Sequence, residues 1–328
     1  MLRSSMVQLI SGRMLLYQST FISQSLDSIK FNKSSKTSDH YSLAKGRLEK
    51  TVKTLKCTGR LFDYEQVFVD WEKEGIIENI AQDEPKKGRK FHYLPRRPVF
   101  KENSTTKVRP VFDGSAYHGK SCSLNDCLEK EPNLIEMMPA ILNRFRLRKI
   151  EVISDILKAF FQISLHENDM NFLRFFWWEG GNLEKAVIYR HRRVVFGVSC
   201  SPFSLAAVLN YHFKQAPEHL EKAAEKLKDS MYVDNCVANV DFSIELESFQ
   251  RDSTELLALG KFDLHGWRHS DIESNFDFQD NQQKSDPQEI QVLGLMWNVK
   301  EDTPFSISYR ETKSKEEVTK RRIISLAH

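Results

Sequence analysis

Two stretches decide the fold: KIEVISDILKAFFQI, residues 149–163, and MYVDNCVANV, residues 231–240. In the first, apolar Ile150, Val152 and Ile153 lead to Asp155, the pattern of a buried strand that closes on a carboxylate. In the second, Val233 and Val237 flank Asp234-Asn235, two residue types that tolerate the backbone angles of a tight turn. Residues 231–240 are therefore read as a β-hairpin with the Asp234 carboxylate at its tip. A strand-end Asp and a hairpin-tip Asp form the arrangement that brings two distant carboxylates to one edge of a sheet. By itself the pattern is weak, because an Asp at a strand end serves equally as a turn or helix cap.

Upstream, Leu43, Leu48, Val52 and Leu55 recur at helical spacing, and Leu61, Tyr64, Val67, Phe68 and Trp71 do so again before Gly75. Two helices are expected there, after a Ser- and Lys-rich linker over residues 31–40. Beyond Pro85 the texture turns to short β runs broken by Pro and Gly, with a turn at residues 102–105 and a returning strand over 108–112. Residues 133–145 are helical in spacing. Residues 172–178 form an aromatic strand whose Trp177 and Trp178 are assigned to the core. Ser201-Pro202 reads as a capping hydroxyl followed by Pro at the first helical position, opening a helix over 203–213. Pro217 interrupts it, and residues 220–227 resume. Residues 256–264 contain a further helix and strand, and 292–299 a last strand entered after a polar loop at 275–287. Helices and antiparallel strands mix without strict βαβ alternation, so the fold class is α+β.

The chain has 328 residues, 40% of them apolar, enough for one large core or two smaller ones. No apolar run reaches the length that spans a bilayer. A net charge of +3 argues against a uniformly basic nucleic-acid coat, but the positive charge is clustered. The blocks are Lys86, Lys87, Arg89 and Lys90; Arg144, Arg146, Arg148 and Lys149; Arg190, His191, Arg192 and Arg193; and residues 320–322. Each is read as a solvated face or a phosphate contact. Five cysteines without a C-x-x-C pair fit a reducing, intracellular compartment. Residues 1–26 carry Arg3, Arg13, several serines and no acid, a superficial likeness to a mitochondrial presequence; arbitrary leader sequence is the reading preferred. The remaining histidines, His166, His265 and His269 among them, lack metal-ligand spacing and receive no role.

Seven short motifs follow in one order: YLPRRPVFKENSTTKVRPVFDGSA (93–116), SLNDCL (123–128), SDILKAFFQI (154–163), RVVFGVSCSPFSLAAVL (193–209), MYVDN (231–235), GKFDLHGW (260–267) and VLGLMW (292–297). Together they resemble the reverse transcriptases of long-terminal-repeat retrotransposons, the Pao/BEL group in particular, over roughly residues 41–299. The resemblance implies a right-hand polymerase: fingers and a palm with an antiparallel sheet flanked by helices, the thumb largely missing. It divides the chain into a leader and linker without order (1–40), an N-terminal helical segment (41–90), fingers (91–150), palm (151–270), a loop and primer-grip-like hairpin (271–311) and the start of a thumb or connection (312–328).

The resemblance also assigns roles. Asp155 and Asp234 become ligands of Mg²⁺ or Mn²⁺, and Asn235 stands where many relatives have a second aspartate; an amide is a weaker ligand for a hard cation. Phe160 resembles the side chain that packs on the sugar and excludes ribonucleotides. Lys107 and Arg109 resemble the pair that clamps the incoming triphosphate, for which a planar guanidinium is suited. Phe196 and Gly197 resemble the lining of the nucleotide pocket. Ser201, Pro202, Tyr232, Leu293 and Gly294 resemble contacts to primer or template. Lys261 lies where a proton donor for the leaving pyrophosphate is often found, and Trp297 serves equally as core or stacking platform. The implied partners are an RNA or DNA template with primer, deoxynucleoside triphosphates and other parts of a retroelement polyprotein, with no membrane, in the cytoplasm (a virus-like particle) or nucleus. Two functions stay open: RNA-directed DNA synthesis, and a decayed or truncated relic that at most binds nucleic acid, to which Asn235 and the short C-terminal region point. An RNA-templated RNA polymerase shares the carboxylates, but the aromatic Phe160 opposes it.

Overall fold

The computed structural model describes residues 39–80, 91–100, 108–117, 119, 121–128, 132–182, 184–270, 289–298 and 303–306. The leader, Lys107, the turn at 102–105, the loop at 275–287, the first and fourth basic blocks and the expected thumb start lie outside the described residues. The elements are α1 (Tyr41–Cys57), α2 (Leu61–Lys73), β1 (Ile77–Asn79), β2 (Arg96–Phe100), β3 (Val108–Phe112), α3 (Leu124–Cys127), α4 (Met138–Phe145), β4 (Ile150–Ile156), α5 (Glu167–Met170), β5 (Arg174–Trp178), β6 (Ala186–His191), α6 (Ser201–Lys214), α7 (Glu221–Ser230), β7 (Met231–Tyr232), β8 (Asn235–Val240), α8 (Ser243–Leu259), β9 (Leu264–His269), β10 (Glu289–Val292), β11 (Leu295–Asn298) and β12 (Thr303–Ser306). All strand pairs joining these elements are antiparallel, so the protein is α+β. It forms two compact units, one drawn from Met1–Pro132 and Lys158–Leu209, the other from Asn133–Leu157 and Asn210–His328. No helix among the described residues is long and apolar enough to cross a membrane.

In the first unit the helical stripes bury as their spacing requires: Leu48, Val52 and Leu55 from α1, Tyr64 and Phe68 from α2. They meet the three-stranded sheet β1-β6-β5. Every residue of β5 is buried, Trp177 and Trp178 included, as an aromatic strand covered on both faces should be. The sequence hid the centre of this core. Arg96, on the β2-β3 hairpin, is buried with its guanidinium 4.9, 4.8 and 5.4 Å from the rings of Phe68, Phe175 and Trp177.

The third basic block is a solvated face only at Arg192, which is exposed. Arg190 donates to Glu78, Arg193 donates to Ser164, and His191 is wholly buried, as the two-residue period of a strand dictates. Its ring packs on Phe112 at 4.6 Å and on Phe175 at 5.1 Å. Burial and the neighbouring Arg96 charge push its pKa down to about 3.

The second unit is built on the sheet β7-β8-β4-β9. Its central ladder runs from Ile150↔Val240 to Asp155↔Asn235. By strand alternation, Ile153, Asp155, Asn235 and Val237 share one face. On that face Ile153, Val237 and Tyr232 pack with Ile141 and Phe145 of α4, with Val292 of β10 and Trp297 of β11, and with Leu293 between them. Trp297 is therefore core and not a stacking surface. The opposite face carries Val152, Ser154, Cys236 and Ala238, and contacts from α7 and α8 accompany the sheet.

Two further expectations need correction here. Residues 292–299 are not a single strand: β10 and β11 pair as a hairpin whose turn is Leu293-Gly294, with φ of 48° and 89°. An apolar run hides such a break because Leu293 takes positive φ while its side chain packs into the core. Likewise, the β7-β8 turn is Val233-Asp234, not Asp234-Asn235, since Tyr232 pairs with Asn235. Asn235 is held in the strand opposite Asp155, which displaces the turn onto Val233 at φ 56°. A β-branched residue there is strained, by about 1–3 kcal/mol.

His191 generates a pH test. Its folded pKa lies below the unfolded value near 6.5, so its contribution is fully present above that value and lost as pH falls toward about 3. In thermal melts between pH 7 and 5, His191→Phe should lose less Tm than the parent; an equal loss would contradict the burial of a neutral imidazole. The core yields a second test. Phe145→Ala, which empties a fully buried site against Trp297, should cost about 3–5 kcal/mol in urea unfolding of the second unit.

Candidate active site

Asp155 and Asp234 are brought to the same end of the second unit's sheet by the β4-β8 ladder. Beyond Asp155↔Asn235, the Ile156 amide donates to the Asp234 carbonyl at 2.9 Å, tying the turn to the strand. Asp155 is half-exposed, with 51% of its side chain accessible. Partial burial raises its pKa, and the nearby His265 acts in the opposite direction. Asp234 is more enclosed. Desolvation raises its pKa and the charge of Asp155 raises it further, while a hydrogen bond from Asn235 Nδ2 to Asp234 Oδ1, 2.9 Å, partly offsets the rise. Asn235 thus lies beside the pair and orients one carboxylate.

β9 supplies two neighbours that spacing alone did not reveal. The His265 ring has Nδ1 3.0 Å from the Asp155 carbonyl oxygen and Nε2 3.8 Å from Asp155 Oδ2. Gly266 has φ 65°, and a Cβ added to it would lie 2.9 Å from Asp155 Oδ1. A side chain there would be strained and would press on the carboxylate. Both residues fall within the motif GKFDLHGW, but what brings them to Asp155 is the pairing Asp155↔His265, a long-range register that the sequence does not display.

Two carboxylates, each disfavoured in its ionised form by burial or by the other's charge, suit a hard divalent cation. Among the described residues, no group of three His, Cys, Asp or Glu side chains is arranged to hold a metal. A cation here would take Asp155 and Asp234 and complete its shell with oxygens from solvent or a bound phosphate. Tyr232 and Leu293, expected at the primer, are partly buried in the second unit's core cluster, and Gly294 sits in the turn beside Leu293.

Lys261 lies in the second unit, at φ 61°, whereas Arg109, Phe160, Phe196, Gly197, Ser201 and Pro202 lie in the first. Arg109 is exposed on β3, opposite Val99. Phe160 is only 2% exposed, on a short 3₁₀ turn, and its ring meets that of Phe196 edge-on at 4.3 Å. Phe196 is 53% exposed. Gly197, at φ 94°, is required by geometry: a Cβ would lie 2.1 Å from the Phe112 carbonyl oxygen. The Ser201 hydroxyl does not cap α6 as expected. It is buried and donates to the Val195 carbonyl at 2.8 Å, holding the loop that carries Phe196. Pro202 falls in the first turn of α6, where its lack of an N–H costs nothing.

No protein-family profile matches the chain, and no curated protein does. Among solved structures, similarity is found to the foamy viral protease-reverse transcriptase in complex with dsDNA, at 18% identity and a TM-score of 0.47 over 80% of this chain and 45% of that one. The same protein in complex with an RNA/DNA hybrid gives 16% identity and 0.47 over 80% and 30%. Native Prototype Foamy Virus protease-reverse transcriptase gives 17% and 0.46 over 62% and 23%. The chain spans less than half the length of each of these proteins.

The carboxylate pair predicts a trade between stability and cation binding. A carboxyl whose folded pKa is raised stabilises the fold fully only below its unfolded value near 4 and loses that contribution as pH rises through the folded pKa. At pH 7.5, Asp234→Asn should therefore raise Tm, with the gain fading as the pH is lowered toward 4. Added Mn²⁺ should raise the Tm of the parent and not that of the variant. A variant less stable than the parent at pH 7.5 would contradict the described electrostatics.

Proposed function

We propose that this chain is the fingers and palm of an RNA-directed DNA polymerase from a Pao/BEL-type long-terminal-repeat retrotransposon, extending a primer 3′-hydroxyl by nucleotidyl transfer. The observation that carries the reading is the convergence of Asp155 and Asp234 on one sheet end, from two of seven motifs that stand in the order found in such enzymes. A pair of Mg²⁺ or Mn²⁺ ions supplies the acidification of the attacking hydroxyl and the neutralisation of charge on the leaving pyrophosphate. Asp155 and Asp234 hold the cations, and Asn235 keeps the Asp234 carboxylate oriented through its amide. Arg109, with Lys107, binds the triphosphate. Phe196 and Gly197, backed by the buried Phe160, line the sugar and base pocket; Pro202, Tyr232, Leu293 and Gly294 guide the primer and template, and Ser201, whose buried hydroxyl donates to the Val195 carbonyl, acts through the loop it fixes. Template, primer and deoxynucleoside triphosphates are the partners this role requires, along with other parts of a polyprotein.

One observation favours a second reading. Asn235 places a neutral amide where an acid would add a negative charge, so the site has the form of a polymerase centre that has lost part of its cation affinity. Primer extension on poly(rA)/oligo(dT) with Mg²⁺ or Mn²⁺ separates the readings. Synthesis by the parent that falls to background in Asp234→Ala supports the polymerase. Silence in the parent that Asn235→Asp relieves identifies a decayed centre in an intact fold, and silence in all three overturns both catalytic accounts.

A further inference from the structure

Alternation along β2 turns Arg96 into the first unit and leaves Arg97 outside. The Arg96 backbone is fixed by the pair Arg96↔Phe112 and by the Thr51 hydroxyl, which donates to its carbonyl at 3.3 Å. Its side chain ends among Phe68, Phe175 and Trp177, and the residue keeps only 3% of its surface exposed. Tyr64, 0% exposed, packs on two of the same rings, Phe68 at 5.2 Å and Trp177 at 5.5 Å. Guanidinium and phenol are therefore neighbours in one aromatic enclosure.

Their hydrogens lack acceptors. Among the described residues nothing pairs with Arg96 Nε, Arg96 Nη2 or the Tyr64 hydroxyl, and all three atoms are buried. No carboxylate among the described residues forms an ion pair with the guanidinium. Glu65, the acid next to Tyr64 on α2, is engaged elsewhere: its Oε1 accepts from Trp177 Nε1 at 2.9 Å and from the Gly180 amide at 2.8 Å. His191, the other polar group of this core, is neutral at ordinary pH and brings no negative charge. Burial lowers the Arg96 pKa, but an arginine keeps its charge even so, and burial raises the Tyr64 pKa, so the phenol keeps its hydrogen.

A charge held in a low-dielectric interior is costly, and ring faces offset only part of that cost. A water would accept two of the three hydrogens but carry no charge. A small anion does both, accepting several hydrogens and cancelling the guanidinium charge. We propose that Arg96 and Tyr64 hold one small monovalent anion, chloride or a halide of similar size, inside the first unit. Enclosure by Phe68, Phe175 and Trp177 limits the size, so polyatomic anions such as gluconate are excluded. The halide is a structural ligand of the first unit, and its binding does not rest on the polymerase reading.

Thermal melts of the full chain in sodium chloride, sodium bromide and sodium gluconate at matched ionic strength test the site, with Arg96→Met and Tyr64→Phe alongside. Chloride in hundredfold excess over its Kd should raise the parent Tm by roughly 5–10 °C relative to gluconate, and bromide should act alike. Arg96→Met fills a similar volume without a charge to neutralise, so it should fold and melt at the same temperature in all three salts. Tyr64→Phe should keep the response but shift it to chloride concentrations roughly tenfold higher, the scale of one hydrogen bond to a charged group. Equal melting of the parent in chloride, bromide and gluconate overturns the proposal, as does an undiminished chloride response in Arg96→Met. Should Arg96→Met fail to fold, bromide anomalous scattering from a parent crystal decides the matter. A peak within hydrogen-bond reach of the guanidinium and the Tyr64 hydroxyl supports the site; a water there, or bromide only elsewhere, overturns it.

Discussion

The antiparallel ladder between β4 and β8 is the constraint on which the site depends. Six successive pairs fix the register from Ile150↔Val240 to Asp155↔Asn235. A one-residue slip would turn Ile153 and Val237 out of the core they share with Phe145 and Trp297. The same packing that makes slippage costly also decides where the carboxylates stand. The register is held by burial, and the Asp155 and Asp234 geometry follows from it without a dedicated contact between the two acids.

The ladder also explains the strain beside it. With Asn235 drawn into the strand opposite Asp155, only Val233 and Asp234 remain to turn the chain, and Val233 takes a left-handed backbone. Glycine or asparagine at that position would remove the strain. That the chain instead bears it next to two carboxylates with raised pKa values fits a pattern in which functional sites hold locally unfavourable features that the surrounding fold compensates. Gly266 serves the same place from the other side, leaving Asp155 the room that a side chain would fill.

Much of this was legible in the sequence where the signal is local. The stripes of α1 and α2, the apolar approach to Asp155, the hairpin around Asp234 and the burial of Trp177 and Trp178 all follow from periodicity or turn chemistry. What escaped depends on partners far away in the chain. Asp-Asn looked like the natural turn because the tolerance of each residue for positive φ is local, whereas the ladder that claims Asn235 is not. Leu293 hid a turn inside an apolar run. His191 read as one charge in a basic block, though strand alternation places it inside with a pKa near 3. Arg96, which no local pattern singles out, is enclosed by aromatic rings. His265 reaches Asp155 only through the β4-β9 pairing, and Asn125 links loops more than seventy residues apart.

The proposed pairing of Asp155 and Asp234 as one cation-binding centre can be checked by soaking a crystal of the full chain in Mn²⁺ and measuring anomalous scattering. A peak within ligand distance of both carboxylates is expected; a well-ordered site with no peak there, or manganese bound only elsewhere, rules the shared centre out.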